Sequence, residues 1–201
     1  MNIGLYFGTF NPIHVGHLII ANHLAQVPEL DQIWLVVSPQ NPLKAKNTLL
    51  TDFHRLSLVK IAIEDNPKLR ASDIEFSLPI PSYTVNTLAH LKEKFPKDTF
   101  SLILGEDNLR NLHKWFNYEY ILDKHKIYVF PRNLTEQETK EDLILENEFI
   151  KNHPNIHFCQ DTPLMKISSS YIREAIRKGK DVRYLLTEAV FNYVDEMNFY
   201  K

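Results

Sequence analysis

Short runs of consecutive apolar residues alternate along this chain with longer stretches whose apolar positions recur every three or four residues. Ile3 to Phe7, Ile33 to Val37, Phe100 to Leu104, Ile127 to Phe130 and Ile156 to Cys159 have strand length, and Leu69 to Ser72 is a weaker candidate. Near-continuous apolar runs of this kind suit strands covered on both faces. Between them, Leu18, Ala21, Leu24 and Ala25 share one helical face, as do Phe53, Leu56, Val59 and Ile63, and again Val85, Leu88, Leu91 and Phe95. The alternation predicts an α/β fold with a doubly wound, mainly parallel sheet whose ligands lie beyond the carboxyl ends of its strands. From about Asp161 the pattern changes to two helices, Ser169 to Lys178 and Thr187 to Asn198. Val190, Tyr193, Val194 and Met197 give the second of these an apolar stripe. No linker of Pro, Gly and Ser sets this part off, so residues 1–201 read as a single domain in which 161–201 form a helical subdomain packed on the sheet.

Composition narrows the partners more than the fold. The 201 residues carry 23 Lys plus Arg against 25 Asp plus Glu, a formal net charge of -2. There is no global drive toward a nucleic acid polymer or an anionic membrane, so any bound anion must be met locally. The N-terminus lacks a basic segment before its first apolar run, and no window approaches ~20 apolar residues; the expectation is a soluble, cytoplasmic protein. The single cysteine, Cys159, excludes an internal disulfide and a multi-cysteine zinc site and reads as a small buried hydrophobe. Thr135 to Glu148 is rich in acids and reads as a solvated helix face. Glu64, Asp65 and Glu75 have no convergent partners along the sequence and read as surface.

The chemistry concentrates where the first strand meets the first helix, at Gly8-Thr9-Phe10-Asn11-Pro12-Ile13-His14-Val15-Gly16-His17. Glycine permits close backbone approach, and a helix start presents unpaired N–H groups to phosphate. His14 and His17, three apart, can bring both imidazoles to one face and donate hydrogen bonds to phosphate oxygens. A pair at this spacing could also ligate a metal, but no third ligand lies nearby in sequence. Neither GxxxxGK[ST] nor GxGxxG occurs in the chain, which removes the P-loop and the dinucleotide fingerprint.

The ten-residue string closely resembles the GxFxPxHxGH signature of the nucleotidyltransferase superfamily, and further segments are similar to one family within it, the bacterial nicotinate mononucleotide adenylyltransferases. These are Ser38-Pro39-Gln40-Asn41-Pro42-Leu43-Lys44 after the second strand, Pro81-Ser82-Tyr83-Thr84-Val85-Asn86-Thr87-Leu88, Leu104-Gly105-Glu106-Asp107-Asn108, Trp115 with Tyr118-Glu119, and Ile167-Ser168-Ser169-Ser170-Tyr171-Ile172-Arg173. Each motif alone is short; together, in this order, they span nearly the whole chain. Phe7 stands where the family usually has a glycine, and Asn11 where it usually has an aspartate, which removes a carboxylate near the phosphates.

The resemblance implies a Rossmann-like nucleotidyltransferase fold and transfer of an adenylyl group from ATP to nicotinate mononucleotide, a step of NAD biosynthesis that releases pyrophosphate. It implies catalytic roles for His14, His17, Lys44 and Arg173. ATP would be bound by Gly8, Thr9, Phe10, His14, His17, Gly105, Asp107, Ser168, Ser169 and Arg173, and the mononucleotide by Thr84, Trp115 and Arg132. Mg²⁺ would be bound mainly through the ATP phosphates, with no protein metal ligand. ATP and nicotinate mononucleotide are then the small-molecule partners, and a homo-oligomer stays open. The residues are compatible with these roles: the serines at 168–170 fall at a helix start suited to an anion, with Arg173 one turn on from Ser169. The alternatives are nicotinamide mononucleotide or phosphopantetheine adenylyltransferases, cytidylyltransferases, and a nucleotide-sensing binder without turnover.

Overall fold

A computed structural model describes residues 1–39, 49–131, 150, 152–163 and 165–201. Lys44, Arg132 and the acidic stretch 135–148 lie outside the described residues. Six strands, β1 (Asn2–Gly8), β2 (Gln32–Val37), β3 (Leu69–Ser72), β4 (Thr99–Gly105), β5 (Ile127–Phe130) and β6 (Ile156–Phe158), form one sheet in the order β3-β2-β1-β4-β5-β6. Every neighbouring pair is parallel, with Leu5 beside Trp34 on one side and beside Leu102 on the other. Among the described residues the α-helices are α1 (Val15–Leu24), α2 (Asp52–Ala62), α3 (Thr84–Lys94), α4 (Glu106–Arg110), α5 (Tyr118–Lys124), α6 (Ser169–Arg177) and α7 (Glu188–Glu196). All six apolar runs are strands, and both helices expected near the C-terminus are present.

Alternation along each strand sorts the core into two layers. Ile33, Leu35, Val37, Ile103, Tyr128 and Phe130 face one layer, which α1, α2, α6 and α7 cover with Leu24, Val59, Ile172 and Val190. Trp34, Val36, Leu102, Leu104, Ile127 and Val129 face the other, covered by α3, α4 and α5 through Leu91, Leu109 and Ile121. Successive side chains point to opposite faces, so strands hidden on both sides need apolar residues at nearly every position. Cys159 packs half-buried against the first layer, and burial pushes its thiol pKa up. Among the described residues no helix is long and apolar enough to cross a membrane.

The chain winds outward from β1 through β2 to β3, then returns across the sheet to β4 on the other flank of β1. The crevice between the carboxyl ends of β1 and β4 is therefore the switch point at which open parallel sheets bind ligands. Gly8 and Gly105 end those two strands.

The α2 stripe departs from the expected face. Phe53 is 70% exposed, while the helix buries Arg55, Leu56, Leu58 and Val59. Arg55 has no exposed surface. Its Nε donates to the Leu50 carbonyl at 3.1 Å and one terminal nitrogen donates to the Thr9 and Ser38 carbonyls at 2.6 and 2.7 Å. The other donates to the Pro39 carbonyl at 3.1 Å and to Asp52 Oδ1 at 2.5 Å. All five N–H donors of the guanidinium are thereby matched. Burial lowers its pKa, with the hydrogen bond and charge of Asp52 acting in the opposite direction. The exits of β1 and β2 and the start of α2 are held by this one side chain. Arg55→Leu is expected to lower unfolding free energy by on the order of 3 kcal/mol in chemical denaturation, because buried acceptors lose their donors. Arg55→Lys is expected to recover less than half of that, since an ammonium has fewer donors and no planar fork.

Candidate active site

Beyond Gly8 the backbone turns sharply. Phe10 adopts a left-handed φ of 44° with its ring buried, and the Asn11-Pro12 peptide is cis. A positive φ is strained for a bulky residue and is held by its surroundings. Asn11 is 3% exposed, and its Oδ1 accepts hydrogen bonds from the Tyr200 hydroxyl at 2.7 Å and the Leu50 amide at 3.2 Å. The carboxamide that replaces the family's carboxylate is thus part of the packing. Burial pushes the Tyr200 phenol pKa up, while the nearby Arg173 and Arg55 charges act the other way.

His14 caps α1 and His17 lies in its first turn, with the two rings stacked, 3.7 Å between centroids and 24° between planes. The His14 amide donates to His17 Nδ1 at 3.3 Å. An accepting Nδ1 puts the proton of neutral His17 on Nε2, the nitrogen directed away from the helix backbone. Phe10 sets the ring orientation from the side, edge-on at 5.1 Å. His14 is 5% exposed, and no protein group bonds its Nδ1 among the described residues. Burial lowers its pKa from 6.5 to about 4, so in the ligand-free chain it is a neutral donor rather than a cation. Gly16 leaves room beneath it: a Cβ there would stand 3.1 Å from both Cε1 and Nδ1 of His14, tight enough to press on the ring.

The C-terminal motif docks onto the same turn. Ser168 caps α6 by accepting the Tyr171 amide at 3.2 Å, and the Ser169 hydroxyl donates to the Pro12 carbonyl at 2.9 Å. Arg173 donates to the Asn11 carbonyl at 2.8 Å and to Ser170 Oγ at 3.2 Å. The amide end of α6 and a half-buried guanidinium are thereby fixed beside the histidine pair.

Across the switch point, Gly105 caps α4 and Asp107 is that helix's second residue. A Cβ at 105 would lie 2.5 Å from Asp107 Oδ1, so glycine is what allows the carboxylate its position over the β4 exit. Thr84 is the first residue of α3, after Tyr83 as the cap, and Trp115 follows a short 3₁₀ turn and packs partly buried against the second layer. The Tyr83 and Phe116 rings meet at 5.2 Å, which puts the Thr84 and Trp115 segments side by side. Of the residues the sequence points to, His14, His17, Ser168, Ser169 and Arg173 are brought together around the Asn11-Pro12 turn, and Asp107 stands at the end of β4. Sequence reasoning missed Arg55, whose signal was a charge on the apolar side of α2 three residues after Asp52. Glu75 is a correction: it is 3% exposed, not surface, and the Thr87 hydroxyl donates to it at 2.7 Å. Among the described residues no group of three or more His, Cys, Asp or Glu is placed to hold a metal ion.

The profile of the cytidylyltransferase-like family matches residues 5–175. A protein of Flavobacterium psychrophilum, named "Probable nicotinate-nucleotide adenylyltransferase", is 59% identical over 201 residues, covering 100% of both chains. A protein of Bacteroides fragilis with the same name is 44% identical over 191 residues, 95% of this chain and 90% of that one. Among solved structures, nicotinic acid mononucleotide adenylyltransferase of Plasmodium falciparum complexed with NaAD superposes with a TM-score of 0.75 at 21% identity, covering 99% of this chain and 97% of that one. That likeness speaks for the fold. The identities across whole chains, on top of the motif-bearing crevice, carry the assignment: this chain belongs to the cytidylyltransferase-like family, among its nicotinate-nucleotide adenylyltransferases.

Proposed function

We propose that the chain transfers the adenylyl group of ATP to nicotinate mononucleotide, giving nicotinate adenine dinucleotide and pyrophosphate. The observation that carries this reading is the docking of Ser169 and Arg173 onto the Asn11-Pro12 turn, which gathers two helix N-termini, two imidazoles and a guanidinium at one end of the switch-point crevice. Such a set of donors suits a triphosphate. Asp107 beyond Gly105 is assigned to the ribose hydroxyls of ATP, with Gly8, Thr9 and Phe10 shaping the loop around its phosphates. Thr84 and Trp115 are assigned to the nicotinate end, with the ring of Trp115 stacking on the pyridine. Lys44 and Arg132 are assigned to the phosphates by their motifs alone.

A phosphate oxygen of the mononucleotide attacks the α-phosphorus of ATP; the bond from that phosphorus to the bridging oxygen breaks, and its electron pair leaves with pyrophosphate. The attacking oxygen is already ionised near neutral pH, so no protein base is needed. The residues hold two anions in line and offset charge on the leaving group: His17 through Nε2–H, His14 as a neutral donor, and Arg173 as a cation. Nucleotidyltransferases of this family generally use a divalent metal with ATP. Mg²⁺ is assigned to the ATP phosphates, since phosphate oxygens and water satisfy that ion. When bound it would supply positive charge against the charge developing on pyrophosphate.

Steady-state assays with ATP, Mg²⁺ and each mononucleotide in turn test the reading: pyrophosphate release is expected, with nicotinate mononucleotide used at least tenfold more efficiently than the amide. Equal use of the two would leave adenylyl transfer standing and remove the acid preference; no release with either would leave a nucleotide binder. His17→Ala is expected to lower kcat about 10²-fold or more while thermal stability stays near that of the parent, and unchanged turnover would remove the assignment.

The charge state of His14 carries a stability signature. Its folded pKa lies below the unfolded value, so the unfolded chain takes up a proton that the folded chain refuses. The contribution is complete above pH 6.5 and is lost as pH falls from there through about 4. It amounts to about 3 kcal/mol over that window. Denaturation of wild type and His14→Gln in parallel should show a shallower acid decline in the variant.

A further inference from the structure

Glu75 is buried in the short 3₁₀ turn Ile74–Ser77 after β3. The Thr87 hydroxyl donates to it at 2.7 Å, and the hydroxyls of Ser38 and Ser82 stand near enough to act on the carboxyl. Burial pushes its pKa up, and the three hydroxyls act against that push. These hydroxyls come from two places. Ser82 and Thr87 bracket the first turn of α3, where Thr84 stands and where the Thr87 amide bonds the Tyr83 carbonyl at 3.2 Å. Ser38 ends the β2 side of the crevice; its amide donates to the Gly8 carbonyl at 2.9 Å and its own carbonyl accepts Arg55 at 2.7 Å. Arg55 in turn holds the Thr9 carbonyl. Polar groups thus lead from the loop after β1 through Arg55 and Ser38 to the Glu75 carboxyl, and its bond to Thr87 ties that carboxyl to the start of α3.

We infer that Glu75 is a positioning residue for the mononucleotide: buried between the β2 exit at Ser38 and the Ser82–Thr87 segment, and accepting from Thr87, it sets the start of α3, with Thr84, against the phosphate loop. A carboxyl group suits this junction because its two oxygens offer enough lone pairs for three hydroxyl donors. Buried hydroxyls that lose their acceptor rotate or shift, and the first turn of α3 moves with them. The mononucleotide, bound between α3 and the Trp115 segment, feels that shift more than ATP does, because the ATP loop keeps its other ties to Arg55 and Arg173. This inference rests on the adenylyl-transfer reading and on the assignment of Thr84 and Trp115 to the mononucleotide.

The test is the split between the two Michaelis constants. Glu75→Ala is expected to raise KM for nicotinate mononucleotide at least tenfold while KM for ATP changes less than threefold. Glu75→Gln, which keeps an acceptor oxygen and adds a donor that a hydroxyl can accept, is expected to stay within threefold of wild type on both. If Glu75→Ala does not fold, Ser82→Ala and Thr87→Val are measured in its place, and each is expected to raise KM for the mononucleotide selectively. Both constants within threefold of wild type, or both raised by the same factor, would overturn the role of Glu75. A wild-type chain without turnover would instead overturn the activity on which the inference rests, so the two failures are distinguishable.

Discussion

A guanidinium sealed from solvent can persist only if every N–H it carries finds an acceptor, and Arg55 meets that requirement by drawing in backbone from three parts of the chain. The exits of β1 and β2 are irregular, and their carbonyls cannot pair with a sheet or a helix. Thr9, Ser38, Pro39 and Leu50 therefore turn their oxygens inward around one planar fork. The fork's fixed geometry sets the spacing of the loops, and the loops set where the histidines, Asn11 and Ser38 stand. The histidine side of the crevice depends on this contact.

The electrostatics follow from the same economy of charge. A net charge of -2 gives the chain no general attraction for a triphosphate. The crevice instead concentrates oriented donors: the starts of α1 and α6, a histidine kept neutral by burial, a second whose proton is directed to Nε2, and Arg173 anchored by the Asn11 carbonyl and Ser170. Donors fixed before the ligand arrives require little reorganisation as charge builds on a leaving group.

Strand positions were legible in the sequence because strands buried on both faces leave near-continuous apolar runs, as β1, β2, β4 and β5 do; the edge strands β3 and β6 are interrupted by Arg70 and His157. The crevice was legible where its chemistry is local: His14 and His17 sit one turn apart, and Ser169 and Arg173 likewise. What escaped was whatever depends on distant partners. Phe53 fits the apolar period of α2, yet it is Arg55 that the helix turns inward, because the acceptors lie at Thr9, Ser38 and Pro39. Glu75 reads as surface from the sequence because the hydroxyls that face it lie at positions 38, 82 and 87. Asn11, where the family usually has an aspartate, takes its place through Tyr200, a partner far along the chain.

That bond between Asn11 and Tyr200 joins residues 189 apart, and the bond between Arg173 and the Asn11 carbonyl spans 162. Contacts of such separation bear a large loop-closure entropy and form late relative to local helices and neighbouring strands. During synthesis the first strand and the histidine-bearing helix emerge long before their C-terminal partners. The loop after β1 must wait, with its strained Phe10 backbone, until α6 and the segment around Tyr200 are made. Order in the crevice thus arrives with residues more than 150 positions downstream of the signature, and a fragment ending anywhere before α6 would carry that motif without the contacts that hold it.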